Sequence, residues 1–105
     1  MKVILKGKGE GKTTELIKMS VETNTYILVL NNKRQVEVAR LAQELGYKNM
    51  LYPVTLEEHF FAKKSSGMFN RRFLIDDADD ILHHLIGDDI PILAITMTEG
   101  KNEPV

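Results

Sequence analysis

The 105-residue chain contains no cysteine, which excludes disulfides and thiolate-bound metals. It has no strong charge of either sign. Fourteen Lys and Arg stand against fifteen Asp and Glu, for a formal net charge of -1. The chain as a whole is therefore not a basic nucleic-acid binder, and only a local basic patch is left open. Long apolar runs are missing too. The first run, Val3-Ile4-Leu5, is far too short for a signal peptide, and no later run approaches a membrane span. The expected location is cytoplasmic, with no membrane partner. Internal repeats and low-complexity segments are also absent. What is present is a globular balance of 43% hydrophobic and 28% charged residues, over a length expected to suffice for one domain and to be too short for two.

Four apolar runs stand out: Val3-Leu5, Tyr26-Leu30, Phe73-Ile75 and Ile90-Ile95. They do not alternate with polar residues, as expected of strands buried on both faces in a parallel sheet. A weaker run, Met50-Val54, contains Pro53, which lacks a ladder donor and marks an edge strand or a connection. Helical patterns lie between the runs. One extends from Thr13 to about Val21. Another spans Arg34 to Leu45, where Val38, Leu41, Ala42 and Leu45 form a stripe that Gly46 ends. Thr55-Leu56-Glu57-Glu58 has the spacing of a capping box and starts a short helix expected to turn Phe60 and Phe61 inward. Asp79 to Ile86 is the last helix, stopped by Gly87. Alternating strands and helices predict a three-layer α/β domain over residues 1–98, with a mostly parallel sheet of four to five strands flanked by helices. Lys63 to Gly67 is expected to be a mobile loop, and residues 99–105 a flexible tail.

Lys6-Gly7-Lys8-Gly9-Glu10-Gly11-Lys12-Thr13 falls between the first predicted strand and the first helix. This is the context of a phosphate-binding P-loop. Glycines let successive backbone N–H groups converge on one centre, and the helix start adds a positive dipole end. Lys12 supplies a charge for the outer phosphates, and the Thr13 hydroxyl is a magnesium ligand. Gly7, Lys8, Gly9, Glu10, Gly11, Lys12, Thr13 and Thr14 are the candidate nucleotide-binding residues. The pattern G-x-x-x-x-G-K-[ST] has glycine where this chain has Lys6, with Gly7 and Gly9 left to supply the freedom. A glycine-rich turn without a ligand is the plainer alternative.

The run Phe73-Leu74-Ile75 ends in Asp76-Asp77-Ala78-Asp79, as a Walker B strand does. In parallel α/β sheets ligands sit at the carboxyl ends of the strands, which brings Asp76 to the edge of Lys12. Asp76 is the candidate second magnesium ligand. Asp77 stands where many ATPases carry the glutamate that orients or deprotonates water, one methylene shorter. Asp79 and Asp80 suit the positive end of the following helix. Asn31, Asn32, Lys33 and Arg34 follow the second strand, where Lys33 and Arg34 are either solvated beside an asparagine cap or candidate nucleic-acid contacts. Thr96 and Thr98 share a strand face and are candidate γ-phosphate sensors or a simple strand end. His59, His83 and His84 are expected to be structural or solvated.

Together these residues resemble the first RecA-like domain of helicases, in the form of a small stand-alone P-loop NTPase of phages and prophages. Gly9 to Thr14 is similar to helicase motif I, and Tyr26 to Asn32 with its helix to motif Ia. Asp76-Asp77-Ala78-Asp79 resembles the D-E-A-D box with Asp for Glu, and Leu93 to Thr98 the strand of motif III. The resemblance implies a RecA-like fold and a Mg·ATP ligand. It also implies a slow or partner-dependent ATPase in phage nucleic-acid metabolism, in the host cytoplasm, with single-stranded DNA or a protein as partner. Helicases complete the ATP site with arginines from a second domain, which is not expected within these residues. A non-hydrolysing nucleotide-binding adaptor is the alternative, and a small phosphotransferase ranks below both.

Overall fold

A computed structural model of the chain describes residues 3–5, 9, 11–66 and 72–97, with the side chains of 63–66 excepted. Among the described residues three strands and four helices alternate: α1 (Lys12–Thr23), β1 (Tyr26–Val29), α2 (Asn32–Glu44), β2 (Val54–Thr55), α3 (Leu56–Ser66), β3 (Phe73–Ile75) and α4 (Ala78–Ile86). The strands form one parallel sheet in the order β2-β1-β3. Leu28 pairs with Val54 on one side and with Ile75 on the other. The β3 ladder runs one residue further, since the Asp76 amide donates to the Leu28 carbonyl at 3.1 Å.

β1 is apolar throughout because it is covered twice. Ile27 and Val29 point to one face, where they meet Leu16 and Ile17 of α1 and Val38 and Ala42 of α2. Leu28 points to the other face, against Val54, Leu56 and Ile81 of α4. Ile17, Ile27, Val29 and Val38 are completely buried, each contributing about 1.5–3 kcal/mol. The layers are therefore helix, sheet and helix.

The helix ends are chemically specified. Ser20 is buried, and its hydroxyl donates to the Thr25 carbonyl at 2.6 Å, folding the chain back from α1 into β1. Asn24 makes that reversal in the left-handed region at φ 50, which asparagine tolerates. Asn31 caps α2 by accepting from the Arg34 amide at 3.0 Å. Gly46, at φ 87, closes α2 with two reversed bonds, Gly46 to Gln43 and Tyr47 to Ala42, a Schellman motif. The capping box of α3 forms as its spacing implies: Thr55 Oγ1 accepts from the Glu58 amide at 3.0 Å, and Glu58 Oε1 accepts from the Thr55 amide at 2.9 Å. β2 is an edge strand entered through Pro53.

Several expectations need correction. Residues 3–5 and 90–95 are not strands, so three strands rather than four to five are present among the described residues. Pro91 removes a donor from the later run. Leu5 and Leu93 are 88% and 95% exposed, and only Ile4 packs onto the core. Phe60 and Phe61 do not turn inward but are 50% and 73% exposed. The inward side of α3 is Leu56, and His59 packs edge-on against Phe73 at 5.0 Å. Phe61, five residues after Leu56, lies about 140° around the helix. Residues 63–66 are the last turn of α3 rather than a loop; Gly67 and the proposed 99–105 tail lie outside the described residues. No helix among the described residues is long and apolar enough to cross a membrane.

The Thr55 amide, with help from Gln35, holds the Glu58 carboxyl below its ordinary range. A depressed folded value contributes stability above the unfolded value of about 4.3 and loses it as pH falls through the folded one. Glu58→Gln should therefore lower stability at pH 7 and flatten the acid limb of the stability curve, converging with the parent as pH falls below about 4. Urea denaturation followed by circular dichroism at several pH values checks this. An acid limb identical to that of the parent would show that the box carries no net charge effect.

Candidate functional site

The parallel order places the N-terminus of α1, the N-terminus of α2 and the end of β3 at one edge of the sheet. β1 runs directly into Asn31 and α2, and β3 runs into Asp76 and Asp77. α1 begins at Lys12, immediately after Gly11, whose φ of 81 puts it in the left-handed region and which has no side chain to cap the helix. Gly9 is also left-handed, at φ 80, and an added Cβ at either glycine would be strained by backbone geometry alone.

Six side chains close on one another here. The Thr13 hydroxyl donates to Asp76 Oδ1 at 3.1 Å, across 63 residues of sequence. Arg34 donates twice, from Nε to Asp76 Oδ2 at 2.7 Å and from Nη2 to Thr13 Oγ1 at 2.8 Å. Its Nη1 reaches Glu37 Oε2 at 3.2 Å on the outer side. Lys12 Nζ pairs with Asp77 Oδ1 at 3.2 Å.

Burial explains the density of these bonds. The Asp76 side chain is 2% exposed, and a carboxylate so far from water needs a charged partner and hydrogen bonds. Arg34 supplies the charge. Burial of the guanidinium works against that charge, and the Asp76 hydrogen bond and field outweigh it, so Arg34 is held above its ordinary value. Lys12 is held above its ordinary value first by its hydrogen bond to Asp77 and then by that carboxylate's field.

Asp77 has an unusual geometry. It is a non-glycine residue at φ 50, ψ 60 and occupies the N-cap position of α4. Its carbonyl accepts from the Asp80 and Ile81 amides, but its side chain makes no cap bond. That side chain turns back to Lys12 instead. A left-handed non-glycine costs on the order of 1–2 kcal/mol, and such positions gather at ligand sites.

Of the residues singled out by sequence, Lys12, Thr13, Asp76 and Asp77 come together. Thr14 is exposed on the first turn of α1, next to them in sequence. Gly7, Lys8 and Glu10 lie outside the described residues, as does Thr98. Thr96 is exposed on a segment that forms no strand, so the element that was to carry it to the sheet edge is missing. Lys33 is exposed, whereas Arg34 faces inward onto its own Asp76. The contact of Arg34 with Asp76 was not among the sequence expectations. The signal was available: Asn31 caps α2, which fixes Arg34 in its first turn, beside whichever strand neighbours β1. Only the strand order was missing.

Two hard oxygens, from Thr13 and Asp76, stand within one hydrogen bond of each other, which suits magnesium completed by phosphates and water. Among the described residues no group of three or more His, Cys, Asp or Glu could hold a metal by itself. A depression of about 170 Å³ lies beside this cluster, lined by Asn31, Lys33, Arg34, Asp76, Asp77 and Asp80 among others. A larger one, of about 290 Å³, lies on the far side of Gln35. Its polar groups are already engaged: Gln35 Nε2 donates to the Pro53 carbonyl at 2.7 Å and to Glu58 Oε1 at 2.8 Å. The smaller depression is the candidate site. Compared with protein families, with curated proteins and with solved structures, the chain matches none.

Proposed function

We propose that the chain is a P-loop protein of RecA-like design that binds ATP with magnesium, and that it is a slow or partner-dependent ATPase. The observation that carries this reading is the meeting of Lys12 and Thr13, at the start of a helix preceded by glycines, with Asp76 and Asp77 at the end of β3. A bare glycine turn has no need of that pairing. In the nucleotide-bound protein Lys12 would leave Asp77 for the outer phosphates, and the first-turn amides of α1 would donate to them. Thr13 and Asp76 would hold magnesium, whose chemistry there is to neutralise charge developing on the phosphates. Asp77 would then be free to orient water. The likeness to stand-alone phage and prophage proteins extends the proposal to nucleic-acid metabolism, with single-stranded DNA or a protein as partner.

A non-hydrolysing nucleotide-binding module is the second reading, favoured by one observation. Asp77 is the only water-orienting candidate among the described residues, and it is short and engaged by Lys12.

Lys12→Ala should weaken binding of a non-hydrolysable ATP analogue by roughly one to two decades, the worth of a charge-assisted hydrogen bond of ~1.5–3 kcal/mol. Asp76→Asn should weaken the magnesium-dependent part of that affinity and spare the metal-free part. Titration calorimetry with and without magnesium measures both. Equal affinity of Lys12→Ala and the parent would sink the reading.

Turnover separates the two readings. Hydrolysis by the isolated protein should be far below the 1–10³ s⁻¹ common among enzymes, roughly, because small displacements of the water-orienting group are costly. Phosphate release that is slow but linear, and abolished in Asp77→Asn, would establish the ATPase. Release indistinguishable between parent and variant would favour the module.

A further inference from the structure

The two oxygens best suited to magnesium are already bridged by a cation from the chain itself. The Arg34 guanidinium bonds Asp76 Oδ2 at 2.7 Å and Thr13 Oγ1 at 2.8 Å, while the Thr13 hydroxyl hydrogen points to Asp76 Oδ1 at 3.1 Å. A magnesium ion bound through these oxygens stands about 2.0–2.1 Å from each. The guanidinium and the ion therefore cannot share the position. The Thr13 hydroxyl would also have to turn its hydrogen away from Asp76 to offer a lone pair.

We infer that Arg34 serves as the internal cation of the Thr13–Asp76 pair and that magnesium arriving with a nucleotide must displace it. The inference rests on the nucleotide reading above and assigns to Arg34 a role that the sequence motifs do not. Asp76, with its side chain 2% exposed, cannot be left without a cation, so one is exchanged for another. The fork of the guanidinium spans both oxygens at once, which a lysine ammonium does less well. Glu37 gives the displaced group a place to stay. It already holds Nη1 at 3.2 Å and is 43% exposed, at the outer rim of the depression. The competition has a direction. It lowers the affinity for magnesium by the fraction of molecules in which Arg34 is in place, and it ties the first turn of α2 to the occupancy of the site.

The test measures affinity for a non-hydrolysable ATP analogue as a function of free magnesium, by titration calorimetry, for the parent, Arg34→Gln and Arg40→Gln. Arg40 is exposed on the same helix and carries the same charge change. Arg34→Gln should reach its half-maximal magnesium effect at about tenfold lower concentration or less, the worth of at least one charge-assisted hydrogen bond. Arg40→Gln should follow the parent. If the parent binds the analogue with magnesium and Arg34→Gln needs as much metal or more, the exchange is wrong and the nucleotide reading stands. An equal shift in Arg40→Gln would reduce the effect to net charge and also overturn the exchange. If neither the parent nor Arg34→Gln binds the analogue at any magnesium concentration, both fall together. Should Arg34→Gln fail to fold, the unaltered chain answers by ¹⁵N NMR of the arginine side chains. The Arg34 Nε–H signal should shift and exchange faster with water when magnesium and analogue are added together. An Arg34 signal that stays fixed while the Gly11, Lys12 and Thr13 amides shift would overturn the exchange.

Discussion

A carboxylate almost removed from water organises one edge of this protein. Asp76 ends β3, and its amide extends the ladder to Leu28 while its side chain is buried. Leaving that charge unpaired would cost several kcal/mol, so the surrounding elements must deliver donors to it. α1 delivers the Thr13 hydroxyl and α2 delivers the Arg34 guanidinium. Those two helices pack on the same face of β1 through Ile17 and Val38, both completely buried. The core thus sets the distance between the donors, and the donors keep the buried charge tolerable. Disturbing either would be felt in the other.

The same arrangement separates two carboxylates that are adjacent in sequence. Asp76 is buried and bonded from two helices, whereas Asp77 is partly exposed, pairs with Lys12 at 3.2 Å and has Arg34 Nε only at 3.8 Å. The separation comes from the turn between β3 and α4. A left-handed residue at position 77 swings the second carboxylate away from the helix it would otherwise cap. One carboxylate is therefore held by donors from two helices, and the other by a half-exposed lysine. For a site that takes up a metal and phosphates, this division is chemically useful, because a buried ligand and a partly exposed one do different work.

Much of the fold was legible because it depends on local chemistry. The apolar β1, the Asn31 cap, the Gly46 stop and the Thr55–Glu58 box are each written in a few consecutive residues. The corrections fall where a decision depends on distant partners. Ile90-Ile95 has strand-like composition, but β-branched residues favour a strand only when a neighbour offers an edge, and Pro91 weakens the ladder. Phe60 and Phe61 look like core residues by type, and helical phase turns Phe61 outward once Leu56 is seated. In the candidate site, Lys12, Thr13, Asp76 and Asp77 were readable from motif and position. Arg34 was not, because its contact with Asp76 spans 42 residues and depends on β3 lying directly beside β1.

The central claim is that a divalent ion and a nucleotide meet between the start of α1 and the end of β3. Manganese substitutes for magnesium and broadens NMR signals close to it, so it locates the ion directly. With a non-hydrolysable ATP analogue and substoichiometric manganese, the amide signals of Thr13, Asp76 and Asp77 should broaden first. Signals of Gly46 and Tyr47, at the far end of α2, should persist. Broadening that spreads over exposed acidic residues elsewhere, such as Asp88 and Asp89, while Thr13 and Asp76 remain sharp would contradict the claim.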